Sequence, residues 1–315
     1  MANTKTKTHS LTVLKPGALS LIQDFGRFGV AQFGITQGGP VDDYAYSWAN
    51  YLLGNPVNCP TIEITLGQAA FRINDRCKLA IAGGDLHAKL DGEPITNWSS
   101  FTAQPGQVLS FSLARNGLRS YLAVKGGFFL TPQLGSVSTV QRDLLGGLHK
   151  DGRPLASDDT LLFHHHEAPQ LNSEMTFRFR PDYNRPIELR VIESYQSEHF
   201  SESSLNRFYS NTFRVGQNSN RMGYRLEGES IQGPDLHLKS EGIALGSIQI
   251  PPDGQPIILL NDRQTIGGYP KVGCVARIDL PRLAQAKPGQ QVTFVKGDLL
   301  GLQEVWSQWA RFFGY

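Results

Sequence analysis

The chain has 315 residues, with 30 Lys+Arg against 28 Asp+Glu, and 33 Gly alongside 18 Pro. A formal charge of +2 with no basic stripe excludes a nucleic-acid partner, and no run approaches the ~20 apolar residues of a membrane span. The length is long for one domain and comfortable for two, and Gly at about one in ten against a usual ~7% predicts many turns and a β-rich chain.

The first ten residues, MANTKTKTHS, lack an apolar core and read as a polar tail rather than a signal peptide. Cys59, Cys77 and Cys274 are far apart and form no C-x-x-C. Neither a zinc site nor a disulfide framework is expected, and a reducing cytoplasm fits best. Residues 10–21 alternate and predict a strand broken at Pro16-Gly17. The stretch from Gln23 to Gly29 (QDFGRFG) follows, its glycines three apart. It is not a dinucleotide fingerprint, because no strand–turn–helix surrounds it. Residues 42–53 predict a helix, with Asp42 as N-cap and Gly54 and Pro56 as stop signals. Asp42 is thus either a helix cap or a site carboxylate.

Short alternating runs over 62–64, 69–73, 78–82 and 107–113 predict strands, with Gly83-Gly84-Asp85, Asp91-Gly92 and Pro105-Gly106 as turns. Glu63 sits between two isoleucines, with its carboxylate on the face opposite to theirs. Residues 120–124 read as a further strand, followed by the loop residues Ser136 and Ser138. Residues 164–185 are patternless and read as a linker between portions 10–165 and 186–315. His164-His165-His166 cannot easily present three nitrogens to one ion. Two motifs recur: Pro105-Gly106-Gln107 as Pro288-Gly289-Gln290, and Arg27-Phe28-Gly29 as Arg221-Met222-Gly223. They suggest two related β-barrel halves.

Residues 257–260 are long enough for one strand buried on both faces. Asn261, Asp262, Arg263 and Gln264 follow directly, and Gly267-Gly268 is expected to turn the chain before Tyr269-Pro270-Lys271. A buried strand that ends in a polar cluster places donors and a carboxylate at a rim, where sites tend to sit. Apolar positions from Leu299 to Phe313 predict an amphipathic terminal helix, packed on a barrel or on a partner.

The blocks at 23–29, 120–127, 134–139, 217–226, 240–242 and 248–271 together resemble the family of allophanate hydrolase subunit 2-like proteins and the 5-oxoprolinase C subunit. That family also takes in biotin-dependent carboxyltransferase-like proteins and a kinase-inhibitor antagonist. Pro40-Val41 departs from the family's usual G-A-[ML]-D, while Asp42 is kept. The resemblance implies a mainly β fold of two cyclophilin-like β-barrel portions with few helices. It implies one member, inactive alone, of an ATP-dependent 5-oxoprolinase complex that opens 5-oxoproline to glutamate. The partners would be proteins like the B and A subunits of 5-oxoprolinase. Alternatives within the resemblance are a carboxyltransferase component of a urea carboxylase-type enzyme and a non-enzymatic regulator of a kinase inhibitor.

ATP chemistry on a lactam needs cations around phosphoryl oxygens and carboxylates for Mg2+. Arg27, Arg221, Arg263 and Lys271 are the candidate cations, and Asp24, Asp42 and Asp262 the candidate carboxylates. Of these, Asp24, Arg27, Arg221, Asp262 and Lys271 are the catalytic candidates. Asp42, Gln249, Arg263, Gln264 and Tyr269 are the substrate-binding candidates. Each arginine is alternatively half of a structural ion pair. The expectation is a hollow shared by these groups and completed by a second polypeptide.

Overall fold

A computed structural model of the chain describes residues 8–166, 171–234 and 238–315. The polar start, residues 1–7, lies outside the described residues. The fold is mainly β with four α-helices among the described residues. It divides into two units: residues up to Arg27 with Gly38–Tyr183, and Phe28–Gln37 with Asn184–Tyr315.

In the first unit, strand alternation decides what each face buries. One sheet runs in the order Thr160–His164, Thr8–Pro16, Ala69–Ile73, Val108–Ser110, Lys89–Leu90, Glu93–Pro94. The other runs Leu19–Gln23, Thr61–Thr65, Asn116–Val124, Cys77–Asp85, Ser99–Ala103. The break at Pro16-Gly17 therefore sends two consecutive strands into different sheets. Leu11, Val13, Phe71 and Phe163 of the first sheet share a core with Ile62, Ile64, Leu79, Ile81 and Leu122 of the second. The next residues along, Ala80, Ala82, Tyr121 and Ala123, face the opposite way and receive the helix Asp43–Tyr51 through Ala45, Tyr46 and Ala49. Asp42 caps that helix, its carboxylate accepting from Ala45 N at 2.8 Å.

Two expected features differ. Gly83-Gly84 is not a turn but part of the strand Cys77–Asp85. A Cβ at Gly84 would lie 3.0 Å from the Arg119 carbonyl, so glycine there permits close passage of the neighbouring strand. Residues 171–183 belong to the first unit and are not a linker. Glu174 bridges to Ser99, and Met175 and Tyr183 are buried in the helix-side core. Only isolated residues anchor this stretch, which leaves no periodicity to read.

The second unit is a closed barrel of seven strands, in the order Ile187–Glu193, Lys271–Val275, Ser247–Gln249, Ile257–Leu259, Gly223–Glu227, Phe213–Val215, Gln291–Lys296. Closure pairs every strand edge. Leu189, Tyr224, Ile248, Ile258 and Phe294 point inward, and Phe208 of the helix Glu202–Ser210 stacks on Phe294 at 4.3 Å between ring centroids. Residues 257–260 are not buried on both faces: Ile258 and Leu260 enter the core while Ile257 and Leu259 line an external cleft. Gly267 is likewise no turn, but pairs with Glu241 in a two-stranded ribbon. The terminal helix Leu299–Phe313, capped by Asp298, packs on the turn Arg277–Asp279. The Arg277 guanidinium lies 4.1 Å from the Trp306 ring centroid.

Candidate functional site: a cleft on the barrel wall

Three adjacent barrel strands expose alternate residues on their outer face. Tyr224, Ile248 and Ile258 go inward, so Gly223, Arg225, Gln249, Ile257 and Leu259 go outward. The register sets Arg225 and Gln249 on either side of Ile257, and Gly223 opposite Leu259. Over this surface stands the ribbon of Glu241–Gly242 and Ile266–Gly267, and between them is a cleft of about 760 Å³. Its size lies within the ~300–1,000 Å³ of small-molecule sites. Asn218, Asn220, Ile243, Arg263, Gln264 and Tyr269 also line it.

Arg263 donates from Nε to the Ile243 carbonyl at 3.1 Å and from a terminal nitrogen to the Leu260 carbonyl at 3.3 Å. Those bonds hold the guanidinium in the cleft wall, and burial pulls its pKa down from the ordinary value. Gln249 is buried, and its amide nitrogen has no hydrogen-bond partner among the described residues. An unmet buried donor costs ~1–3 kcal/mol. Thus four substrate-binding candidates, Gln249, Arg263, Gln264 and Tyr269, meet in one cleft.

The remaining candidates are engaged elsewhere. Lys271 lies opposite Gln249 in the ladder, and its ammonium bonds the Glu241 carboxylate. Glu241 also accepts from the Tyr195 hydroxyl and from Gln196 Nε2, the latter at 2.7 Å. The Lys271 bond, followed by the Tyr195 bond, lowers the Glu241 pKa. Arg221 and Asp262 form a two-bond fork, both contacts 2.8 Å, with both residues buried.

In the first unit Asp24 accepts from Val137 N at 2.8 Å, Gly26 N at 3.1 Å and the hydroxyls of Ser136 and Ser138. Arg27, 1% exposed, donates to the carbonyls of Gln133, Ser136 and Ser138. Both side chains therefore stitch one loop. Asp42 accepts from Tyr183 as well as from its own helix. Nearby, the Glu63 carboxylate accepts from the Tyr121 hydroxyl at 2.6 Å and lies 3.8 Å from Arg119. Burial, then the Glu63 charge, raises the Tyr121 pKa well above its ordinary value.

The three aspartates offer a poor magnesium site. Each carboxylate already accepts from protein donors, and among the described residues no three His, Cys, Asp or Glu side chains are grouped to hold a metal. The described residues also include no helix long and apolar enough to cross a membrane.

Residues 33–296 match the carboxyltransferase domain family, subdomain A and B. The chain belongs to this family. Among carboxyltransferase-domain relatives, the 5-oxoprolinase C subunit of Escherichia coli is 35% identical over 92% of this chain and 92% of its own length. Urea amidolyase of Saccharomyces cerevisiae is 29% identical over 91% of this chain, which spans only 16% of that larger protein. The crystal structure of the Kluyveromyces lactis urea carboxylase superposes with a TM-score of 0.85 at 26% identity, over 99% of this chain and 29% of that one.

Sequence reasoning missed Asn218, Asn220, Arg225, Ile243 and Glu241. The first three lie in the block at 217–226 and Glu241 in the block at 240–242, both already singled out by resemblance. What was lacking was the strand register that sets Arg225, ion-paired with Asp253, and Gln249 on either side of Ile257.

Proposed function

We propose that the chain is the member of an ATP-dependent 5-oxoprolinase complex that holds the lactam substrate, working with B-type and A-type partner subunits in the cytoplasm. The observation that carries this is the cleft itself. Arg263 suits a substrate carboxylate, Ile257 and Leu259 suit a small apolar ring, and amide side chains suit its polar edge; Arg225 beside them is paired with Asp253. Similarity along nearly the whole length to a protein named as the C subunit of 5-oxoprolinase supports the same reading. Lactam opening is slow because the amide is resonance-stabilised. ATP serves by turning the carbonyl oxygen into a better leaving group, which requires a phosphoryl donor held against that oxygen. With Asp24, Asp42 and Asp262 engaged, we assign ATP and Mg2+ to the partner subunits. Arg221, Asp262 and Lys271 then hold the loop and the ribbon beside the cleft, and Asp24 and Arg27 the loop at 133–138 of the first unit.

A second reading has support of its own. Urea amidolyase and urea carboxylase resemble this chain over almost all of its length, so the cleft would serve equally as part of a carboxyltransferase acting on urea. Reconstitution separates the two. The chain is purified with homologues of the A and B subunits, and glutamate formed from 5-oxoproline is measured with and without ATP. ATP-dependent glutamate is the expected result. A well-folded complete set that makes none, yet carboxylates urea when given a biotin carboxylase, moves the assignment to the second reading.

A further inference from the structure

Gln249 ends the strand Ser247–Gln249 and is 6% exposed. The ladder pairs it with Ile257 on one side and Lys271 on the other, so its position is fixed by three strands. It lines the cleft, and its amide nitrogen lacks a partner among the described residues. Gly267 of the ribbon lies above it. A Cβ there would stand 3.0 Å from that nitrogen, so glycine at 267 keeps any side chain off the amide.

A primary amide presents a donor and an acceptor side by side. A ligand meets both at once only if its own N–H and C=O point the same way. Lactams, ureas and cyclic ureido groups have this cis-amide edge; trans peptides do not. A carboxylate, with two acceptors, meets the amide oxygen with repulsion. Turning the Gln249 amide over only reverses the ligand edge it matches.

We infer that Gln249 reads the cis-amide edge of the ligand in this cleft, through a two-bond amide pair, and so determines specificity for lactam or ureido rings. The inference rests on the cleft being the substrate site proposed above, and it names the substrate feature that the site recognises. The match leaves the ring carboxylate, where there is one, to Arg263.

Calorimetric titration of the full chain, alone and with the homologues of its partners, tests it with L-5-oxoproline, 1-methyl-L-5-oxoproline, 2-imidazolidinone and L-glutamate. L-5-oxoproline is expected to bind more tightly than the other two amino-acid derivatives. N-methylation of the ligand and Gln249→Leu each lower its affinity at least tenfold, and the two effects do not add, because both remove the same pair. Gly267→Val, whose side chain presses on the amide and on Ile243, produces at least the same loss. Thermal unfolding of Gln249→Leu is unchanged or raised, since an unmet buried donor is removed. Equal affinity of wild type and Gln249→Leu for the lactam, or no discrimination against its N-methyl derivative, overturns the inference. Reconstituted complexes separate it from the activity itself. Glutamate formed with the same KM by wild-type and Gln249→Leu complexes sinks the role of Gln249 and leaves the 5-oxoprolinase reading intact. Gln249-dependent binding of 2-imidazolidinone by a complex that makes no glutamate does the reverse.

Discussion

Arg27 and Arg221 begin the same short motif, yet the two units use them in opposite ways. Arg27 spends its guanidinium on three backbone carbonyls of the loop at 133–138, while Asp24 nearby takes that loop's hydroxyls and N–H groups. Arg221 instead closes on one carboxylate, Asp262, in a two-bond fork. One arrangement distributes charge over fixed dipoles; the other cancels it pairwise. The first is bound to the identity of the whole loop, whereas the second can be exchanged as a unit.

The largest effect expected from this contrast is on Arg221. Arg221→Ala leaves Asp262 buried without its fork and is expected to cost ~3–5 kcal/mol in urea unfolding. The double change Arg221→Met with Asp262→Leu is expected to recover most of that loss, since an apolar pair of similar volume replaces a buried ion pair at little net cost. A double variant as unstable as Arg221→Ala alone breaks the comparison. If the fork only holds the loop, the stable double variant also keeps activity in the reconstituted complex.

Asp24 should show no such rescue. Asp24→Asn replaces one acceptor oxygen by an NH2 donor, which must face either Val137 N or Gly26 N with the two hydroxyls, and is expected to cost ~2–4 kcal/mol. No single second change restores it, because the partners are spread along a loop. A scan of substitutions at Ser136 and Ser138 in the Asp24→Asn background checks this.

A pH effect sharpens the contrast for the ribbon. Bonds from Lys271 and Tyr195 hold Glu241 below its ordinary pKa of 4.5. A depressed carboxylate pKa stabilises the fold above the unfolded value, and the contribution is lost as pH falls through the folded one. The stability gap between wild type and Glu241→Gln is therefore expected to be constant above about pH 5. It should then shrink as pH falls further, as followed by thermal unfolding across an acid series. A gap that grows on acidification contradicts the assigned bond.

The smallest effect comes from the other repeated motif. In Pro105-Gly106-Gln107 the Gln107 side chain accepts from Gln104 N at 2.8 Å, and in Pro288-Gly289-Gln290 the Gln290 side chain accepts from Lys287 N at 3.2 Å. Gly106 and Gly289 carry nearly the same positive φ, 89° and 85°. Gln107→Ala and Gln290→Ala are each expected to cost ~0.5–1.5 kcal/mol. Similar values in chemical denaturation support a shared turn, where the arginine motifs have diverged.

These particulars mark where sequence reading holds and where it stops. The helix after Asp42, strands at 62–64, 69–73 and 120–124, the repeated Pro-Gly-Gln turn and the terminal helix were legible, because each follows from periodicity, capping or turn chemistry within a few residues. Gly83-Gly84 and Gly267-Gly268 misled, because a glycine that admits a neighbouring strand looks the same in sequence as one that turns the chain. Residues 171–183 hid their place in a core, because two buried side chains make no pattern.

By itself the sequence determined a β-rich chain, its family and the polar residues that its site draws on. Only the tertiary structure decided which of them line the cleft. Asp262 and Arg263 are adjacent, yet one closes on Arg221 and the other lines the cleft. That choice depends on strand register, and register is set by pairing between segments tens of residues apart, where a shift of one residue exchanges the inner and outer faces.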